Sequence, residues 1–338
     1  MSNTRKNNGY YESYDPQNKG FSVHTDLAVE NREKFKGTNI EISGVKLSES
    51  YDKENNVHLT KVEIVDEQGA KAMCKPIGNY VTIEAEDIRD AGYDVERMAD
   101  VSAVLARELL SMLPKRDVSK MSVLVVGLGN RDVTPDSLGP SVIANLEVNR
   151  HIFMLKEKLK KSYGVSAVIP GVMAQSGMES AEMVKGIVSQ IKPDVVIAID
   201  ALAARSTKRL NTTIQLADTG IHPGSGVGNH RRGLNKETLG VPVIAIGIPT
   251  VIDAATIVSD TMDAMIQILS SSEAGKSVSN VLQEFSDREK HQLIKELLEP
   301  QIGTMFVTPK DIDEDIATMA EIVATGINKV FKKAHTMV

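Results

Sequence analysis

The sequence predicts an α/β fold, a three-layer sandwich with a largely parallel central sheet and an added β-hairpin region. The first observation is that short apolar runs rich in β-branched residues alternate with amphipathic segments between residues 120 and 270. This alternation is typical of parallel strands joined by helices that cover both faces of a sheet. The second observation concerns residues 40–84, whose alternating segments lie too close together for a crossover helix. They therefore indicate antiparallel hairpins.

The β-rich region is placed at about residues 40–90. Apolar and polar residues alternate over residues 57–64, with a change of register midway. Residues 66–69 predict a turn, and residues 80–84 predict a further strand. An amphipathic helix over residues 94–114 then leads into the core.

The α/β core is placed at about residues 120–270, and helices are expected at about 280–335, the last one opening near Thr308. Five core strands are predicted, at residues 123–126, 165–169, 194–199, 212–216 and 241–248. Three core helices are predicted, at residues 141–161, 178–191 and 253–269. We expect residues 27–338 to form a single domain after an N-terminal segment of residues 1–26.

Composition excludes several classes of protein. The chain has 338 residues, a net charge of −6 and no apolar run close to the roughly 20 residues that span a membrane. We therefore expect neither nucleic acid nor a membrane as partner. Cys74 is the one cysteine, so no internal disulfide is possible, and the N-terminus has no apolar signal core. These features indicate a cytoplasmic protein.

Two aspartates follow or end predicted strands. Asp136 lies on the loop after the strand at 123–126, where Gly127 and Gly129 break the strand. Asp200 ends the strand at 194–199. In a parallel sheet both carboxylates would face one crevice at the carboxyl ends of the strands, where ligands and chemistry collect. The alternative for Asp136 is a helix N-cap, because it follows Thr-Pro just before a helix.

Two close carboxylates support two kinds of chemistry. Because both cannot easily ionise, one tends to hold a proton, and the pair can act as general base and general acid around one water. Alternatively both stay ionised and bind a divalent cation through oxygen, with a histidine as a further ligand.

The loop over residues 222–232 is rich in glycine and basic groups. His230, Arg231 and Arg232 could hold an acidic partner, and the alternative is a flexible surface loop. His222 and His230 could bind a metal, although eight residues on a loop is no recognised ligand spacing. Other motifs fail, because the glycines at 127–129 lack the third glycine of a dinucleotide fingerprint and no phosphate-binding loop is present.

Several segments, taken together and in order, resemble the germination proteases of spore-forming bacteria. The resemblance runs from about residue 20 to the last helix. The segments are residues 21–30 (FSVHTDLAVE), 126–130 (VGLGN) with 134–140 (TPDSLGP), 198–205 (AIDALAAR), 222–231 (HPGSGVGNHR) and 247–255 (GIPTVIDAA).

This resemblance implies an endopeptidase that degrades small acid-soluble spore proteins during germination, in the cytoplasm of the spore (the spore core). It implies a homotetramer made as a zymogen, with residues 1–26 as the propeptide and self-processing at Asp26–Leu27. The family's two aspartates correspond to Asp136 and Asp200. His230, Arg231 and Arg232 are then expected to select the acidic residue before the cleaved bond.

The core also resembles the proteases that mature nickel hydrogenases, which bind metal through a Glu, an Asp and a His. Here Asp136 stands at the first position, and no histidine is clearly placed as the third ligand. We therefore expect an aspartate pair with no obligatory metal or other cofactor. Two other classes stay open at this point: a metal-dependent maturation peptidase, and a non-enzymatic binding protein that keeps the fold.

Overall fold

A computed structural model describes residues 26–33, 42–89, 94–152, 164–222, 232–270, 293, 294, 296 and 305–335. The strands of this part of the chain are β1 (Val45–Asp52), β2 (Val57–Ile64), β3 (Gly78–Glu84), β4 (Ser122–Gly127), β5 (Gly164–Val168), β6 (Val195–Ala204), β7 (Thr213–Ala217), β8 (Val243–Asp253) and β9 (Phe306–Val307). The helices are α1 (Ala28–Glu33), α2 (Glu67–Met73), α3 (Val95–Met112), α4 (Leu138–Ala144), α5 (Met173–Ser176), α6 (Ser180–Ile191), α7 (Lys236–Leu239), α8 (Ala254–Ser270) and α9 (Ile312–His335).

All nine strands belong to one sheet, in the order β1-β2-β3-β7-β8-β6-β4-β5, with β9 paired to β8. The core strands β8, β6, β4 and β5 are parallel to their neighbours in this half of the sheet. Strands β1, β2, β3 and β7 are antiparallel and extend the same sheet through the β3–β7 and β7–β8 pairs. The predicted α/β fold with a largely parallel core and an added hairpin region is confirmed.

Side chains that alternate along each core strand build two apolar layers. On β4, Val123 and Val125 pack with α3, α4 and α9, while Leu124 and Val126 pack on the opposite side with α1 and α6. These sides are called the α3/α9 face and the α1/α6 face below. Helices therefore cover both faces of the sheet, which gives the three layers. No helix in the described ranges is long and apolar enough to cross a membrane.

The segment predicted as a turn at 66–69 instead begins a helix. Asp66 is the N-cap of α2, and its Oδ1 accepts a hydrogen bond from Gly69 N at 2.8 Å. An Asp at this position satisfies a backbone N–H at the helix start, and it does so equally in a tight turn, so the sequence signal was ambiguous.

The predicted helix at 141–161 is also wrong in extent. The helix α4 starts at Leu138 and ends at Ala144, and residues 145–149 are not helical, while 153–163 lie outside the described residues. Residues 150–152 are helical again, and in between Glu147 N donates to Asn328 Oδ1 at 3.0 Å. Asn149 N donates to Val165 O at 3.1 Å, which ties the chain to β5.

Two glycines let α4 sit directly on the end of β4. A Cβ on Gly139 would lie 2.3 Å from Leu128 O, and one on Gly127 would lie 2.4 Å from Gly139 O. We expect Gly139→Ala to lower the free energy of unfolding by roughly 1–3 kcal/mol, because the backbones must separate.

The matched control is Gly186→Ala in α6, where an added Cβ meets nothing within 4 Å. It should raise the free energy of unfolding by up to about 1 kcal/mol, since alanine is the better helix former. Urea denaturation measures the free energy of unfolding of both variants. Equal changes for the two substitutions would contradict the packing argument.

Candidate active site

Asp136 ends a short 3-10 turn, Thr134–Asp136, between β4 and α4. Asn130 N donates to the Asp136 carboxylate Oδ2 at 2.8 Å and lies 3.0 Å from Asp136 O. Gly129 has a φ of +106°, and a Cβ there would lie 2.0 Å from Asp136 O, so only glycine fits. The half-buried carboxylate is therefore fixed by the loop itself.

The N-cap interpretation of Asp136 is wrong. The N-cap position of α4 is Ser137, whose side chain caps no helical N–H, and the Asp136 carboxylate accepts from Asn130 on the loop. The turn is also tied to β8, because Thr250 Oγ1 donates to Pro135 O at 2.7 Å. The carboxylate is thus held by the loop and does not cap α4.

The sequence predicted that Asp200 ends its strand, and this is wrong. Asp200 lies within β6, because the strand continues to Ala204. It is 5% exposed, and its Oδ1 accepts from Ala201 N at 3.0 Å. Ile199 belongs to the α3/α9 face, and Ala198 and Leu202 belong to the α1/α6 face. Strand alternation therefore directs the Asp200 carboxylate to the α1/α6 face.

Parallel pairing of β4 with β6 brings the two aspartate-bearing segments together. Gly127 is in register with Ile199, and Leu128 N donates to Ile199 O at 2.8 Å. The chain that enters the Asp136 loop is thus bonded to the residue just before Asp200. Cα atoms of the 3-10 turn also lie within 8 Å of Cα atoms in β6. The Asp136 turn is therefore a neighbour of the strand that carries Asp200, and aspartates are residues that acid–base chemistry commonly uses.

Of the three basic residues predicted to bind substrate, Arg232 is described, and His230 and Arg231 lie outside the described residues. Arg232 Nε is 3.8 Å from Glu179 Oε2 and its Nη1 is 3.9 Å from Glu182 Oε1. These glutamates belong to the start of α6, which follows the parallel strand β5. Arg232 therefore lies at the carboxyl edge of the sheet, and its contact with substrate stays a prediction.

The predicted processing site lies against β6. Asp26 N donates to Ala203 O at 3.1 Å, and Ala203 N donates to Asp26 Oδ2 at 3.0 Å. Leu27 and Ala28 are fully buried. The buried Glu30 carboxylate accepts from the backbone N–H groups of Arg205 at 2.8 Å and Ser206 at 3.0 Å. The segment thus runs beside the end of β6, beginning three residues beyond Asp200.

Sequence reasoning missed two residues at this place, Lys75 and Gln215. Lys75 Nζ donates to Asp26 O at 2.6 Å, and Gln215 Nε2 donates to the same oxygen at 3.1 Å. Gln215 is a buried amide between Ile214 and Leu216 of β7, which is a signal that could have identified it. Lys75 carries no such signal, because its contact is with a residue 49 positions away.

His222 begins the glycine-rich loop and lies close to Gly233, where an added Cβ would be 2.6 Å from His222 Nε2. Withdrawal of the imidazole from solvent lowers the pKa of His222, and the positive charge of Lys75 lowers it further. Across the residues that the structure describes, no group of three or more His, Cys, Asp or Glu side chains is arranged to hold a metal ion.

A family model and the curated relatives that match this chain carry the same description. A family model described as germination protease matches residues 23–280 and 268–336. Germination protease of Caldanaerobacter subterraneus is 48% identical over 321 residues, covering 93% of this chain and 95% of that protein. The protein of that name from Clostridium perfringens strain SM101 is 46% identical over 312 residues, covering 91% and 94%. That of Bacillus subtilis is 42% identical over 344 residues, covering 91% and 93%.

Among solved structures, a nickel–iron hydrogenase maturation protease of Thermococcus kodakarensis matches with 16% identity and a TM-score of 0.30. The match covers 63% of this chain and 94% of that chain.

The His222 environment gives a titration prediction. We expect the pKa of His222 to lie below the usual value of about 6.5, so that the ring is neutral at pH 7. Because the folded protein disfavours the protonated ring, the stabilisation is present above that usual value and is lost as the pH falls below it. Lys75→Met should raise the pKa and leave it below 6.5, since desolvation is the larger cause.

The measurement is an NMR titration of the histidine ring protons, with His222→Gln for assignment. A titration midpoint at or above 6.5 in the unsubstituted protein would contradict the described environment.

Proposed function

Because the chain belongs to the germination protease family and is therefore a protease, we propose that it begins the degradation of small acid-soluble spore proteins when a spore germinates. The family match spans nearly the whole chain, which supports an activity in common with these relatives. The observation that carries the proposal for the site is the pairing that sets the Asp136 turn beside Asp200. The proposed location is the cytoplasm of the spore.

In the proposed mechanism Asp136 and Asp200 hold one proton between them. The ionised carboxylate takes a proton from a water, and the water oxygen adds to the substrate carbonyl carbon. The protonated carboxyl then gives its proton to the leaving nitrogen as the C–N bond breaks. The products are a new C-terminal carboxyl group and a new N-terminal amine, and the aspartate pair again holds one proton.

Substrate selection is proposed to come from His230, Arg231 and Arg232. The Arg232 side chain is 63% exposed, and its two ion pairs are 3.8 and 3.9 Å long. The exposed pair with Glu182 contributes about 0–1 kcal/mol, so a substrate carboxylate can replace Glu182 at little cost.

We also propose that residues 1–26 form a propeptide that the protein removes by cutting at Asp26–Leu27. The position of this bond beside β6, near Asp200, supports self-processing. The assembly is proposed to be a homotetramer, so sedimentation velocity should give a mass about four times the 36.7 kDa of one chain. A mass equal to one or two chains at micromolar concentration would contradict this assembly.

The function is tested by mixing the full-length protein with a small acid-soluble spore protein and following the products by mass spectrometry. We expect cleavage after an acidic residue, and a loss of at least about 100-fold in rate for Asp136→Asn and for Asp200→Asn, since each removes an acid–base group. Asp117→Asn, an exposed carboxylate before the amino end of β4, is the matched control and should leave the rate unchanged.

A parallel assay contains a chelator. Cleavage that survives it supports the aspartate pair, whereas cleavage that is abolished and then restored by a divalent ion would make the two aspartates metal ligands. If neither aspartate substitution changes the rate, the proposed site is wrong. If no condition gives cleavage, the proposed function fails.

A further inference from the structure

Two side chains that the proposed mechanism does not use hold the backbone on both sides of Leu27. Lys75 Nζ and Gln215 Nε2 donate to the Asp26 carbonyl oxygen at 2.6 and 3.1 Å. Gln215 Oε1 accepts from Ala28 N at 2.6 Å. The amide of one buried glutamine therefore bridges the carbonyl before Leu27 and the N–H after it, and a lysine adds a second donor to that carbonyl.

Gln215 lies in the same row across the sheet as Asp200. Gln215 on β7 is in register with Gly247 on β8, and Gly247 is in register with Asp200 on β6. Neighbouring strands lie about 4.8 Å apart, so the Cα atoms of Gln215 and Asp200 are separated by about 10 Å across one row. Glycine at the middle position leaves room for Leu202, whose side chain would be 2.4 Å from an added Cβ on Gly247.

The two side chains also point to the same side of the sheet. Ile214 and Leu216, which flank Gln215, belong to the α3/α9 face, as does Ile199 before Asp200. Gln215 and Asp200 therefore project onto the α1/α6 face, where Leu27 is buried. The peptide between Asp26 and Leu27 thus lies on the face that carries the Asp200 carboxylate.

We propose that Lys75 and Gln215 stabilise the oxyanion in the self-processing reaction at Asp26–Leu27. This inference rests on the proposed function. When a water oxygen adds to the Asp26 carbonyl carbon, negative charge develops on the carbonyl oxygen that both residues already contact. A charged donor and an amide donor aimed at that oxygen stabilise the tetrahedral intermediate more than the ground state. The C–N bond to Leu27 then breaks, the Leu27 nitrogen takes the proton held by the aspartate pair, and Asp26 ends in a new carboxyl group.

A purely anchoring role would fix the segment without affecting the chemistry, and the substitutions separate the two. Lys75→Met keeps the aliphatic stem and removes the charged donor, and Lys75→Arg keeps the charge. Gln215→Glu keeps the acceptor for Ala28 N and removes the donor to Asp26 O. Lys71→Met is the control, because Lys71 is an exposed lysine on the neighbouring helix α2.

The experiment follows the intact mass of the full-length protein with time, beside cleavage of an added small acid-soluble spore protein. Circular dichroism and thermal unfolding check that each variant is folded. We expect self-processing to slow by about 100-fold or more in Lys75→Met and Gln215→Glu, which is the usual effect of losing one oxyanion donor. Lys75→Arg should recover most of the rate, and Lys71→Met should match the unsubstituted protein.

The outcomes separate the inference from the proposed function. If both folded variants self-process at the unsubstituted rate, the inference is overturned and the proposed function stands. If the unsubstituted protein cuts the added substrate and not Asp26–Leu27, the processing site and its oxyanion pair are both wrong, while the protease remains. If it cuts neither, the proposed function fails and the pair fails with it. If Lys75→Met does not fold, the self-processing rate of the nearly isosteric Gln215→Glu variant tests the inference, and an unchanged rate overturns it.

Discussion

Parallel pairing between β4 and β6 is the constraint on which the site depends. The ladder extends one bond past the end of β4, where Leu128 N donates to Ile199 O, and this bond fixes the start of the Asp136 loop against the residue before Asp200. The glycine at position 129 then lets the loop turn back so that the Asp136 carboxylate is held by a backbone N–H. Neither aspartate would have a defined position relative to the other without this register, because one stands on a loop and the other on a strand.

The N-terminal segment from Asp26 is built into the fold at the same place. Burial of an apolar side chain such as Leu27 contributes about 1.5–3 kcal/mol, and the buried Glu30 carboxylate adds hydrogen bonds to two backbone N–H groups of the β6 end. These interactions hold the residues after Asp26 on the sheet whether or not the preceding chain is attached. A cut at Asp26–Leu27 would therefore leave Leu27 and the residues after it on the α1/α6 face.

Much of the fold could be predicted from the sequence, because the core strands are short apolar runs bounded by turn residues. The length of β6 could not, since Ala-Leu-Ala-Ala after Asp200 has little strand preference of its own, and pairing with β8 extends the strand to Ala204. The break after α4 was missed for a similar reason, because distant partners bind the backbone N–H groups of Glu147 and Asn149. Asp136 and Asp200 were singled out from their places relative to the predicted strands, although Asp200 lies inside β6, and their catalytic role stays a prediction. The Lys75 contact depends on tertiary structure and left no local pattern.

The central claim is that Asp136 and Asp200 work as one acid–base pair on a peptide bond at this edge of the sheet. It is tested most directly by the pH dependence of kcat/KM for cleavage of a small acid-soluble spore protein, measured with chelator present. A pair that must hold one proton predicts a bell-shaped profile, because the rate rises as the first carboxyl ionises and falls as the second does. A rate that stays level after both carboxyls ionise, or that chelator abolishes, would contradict the account.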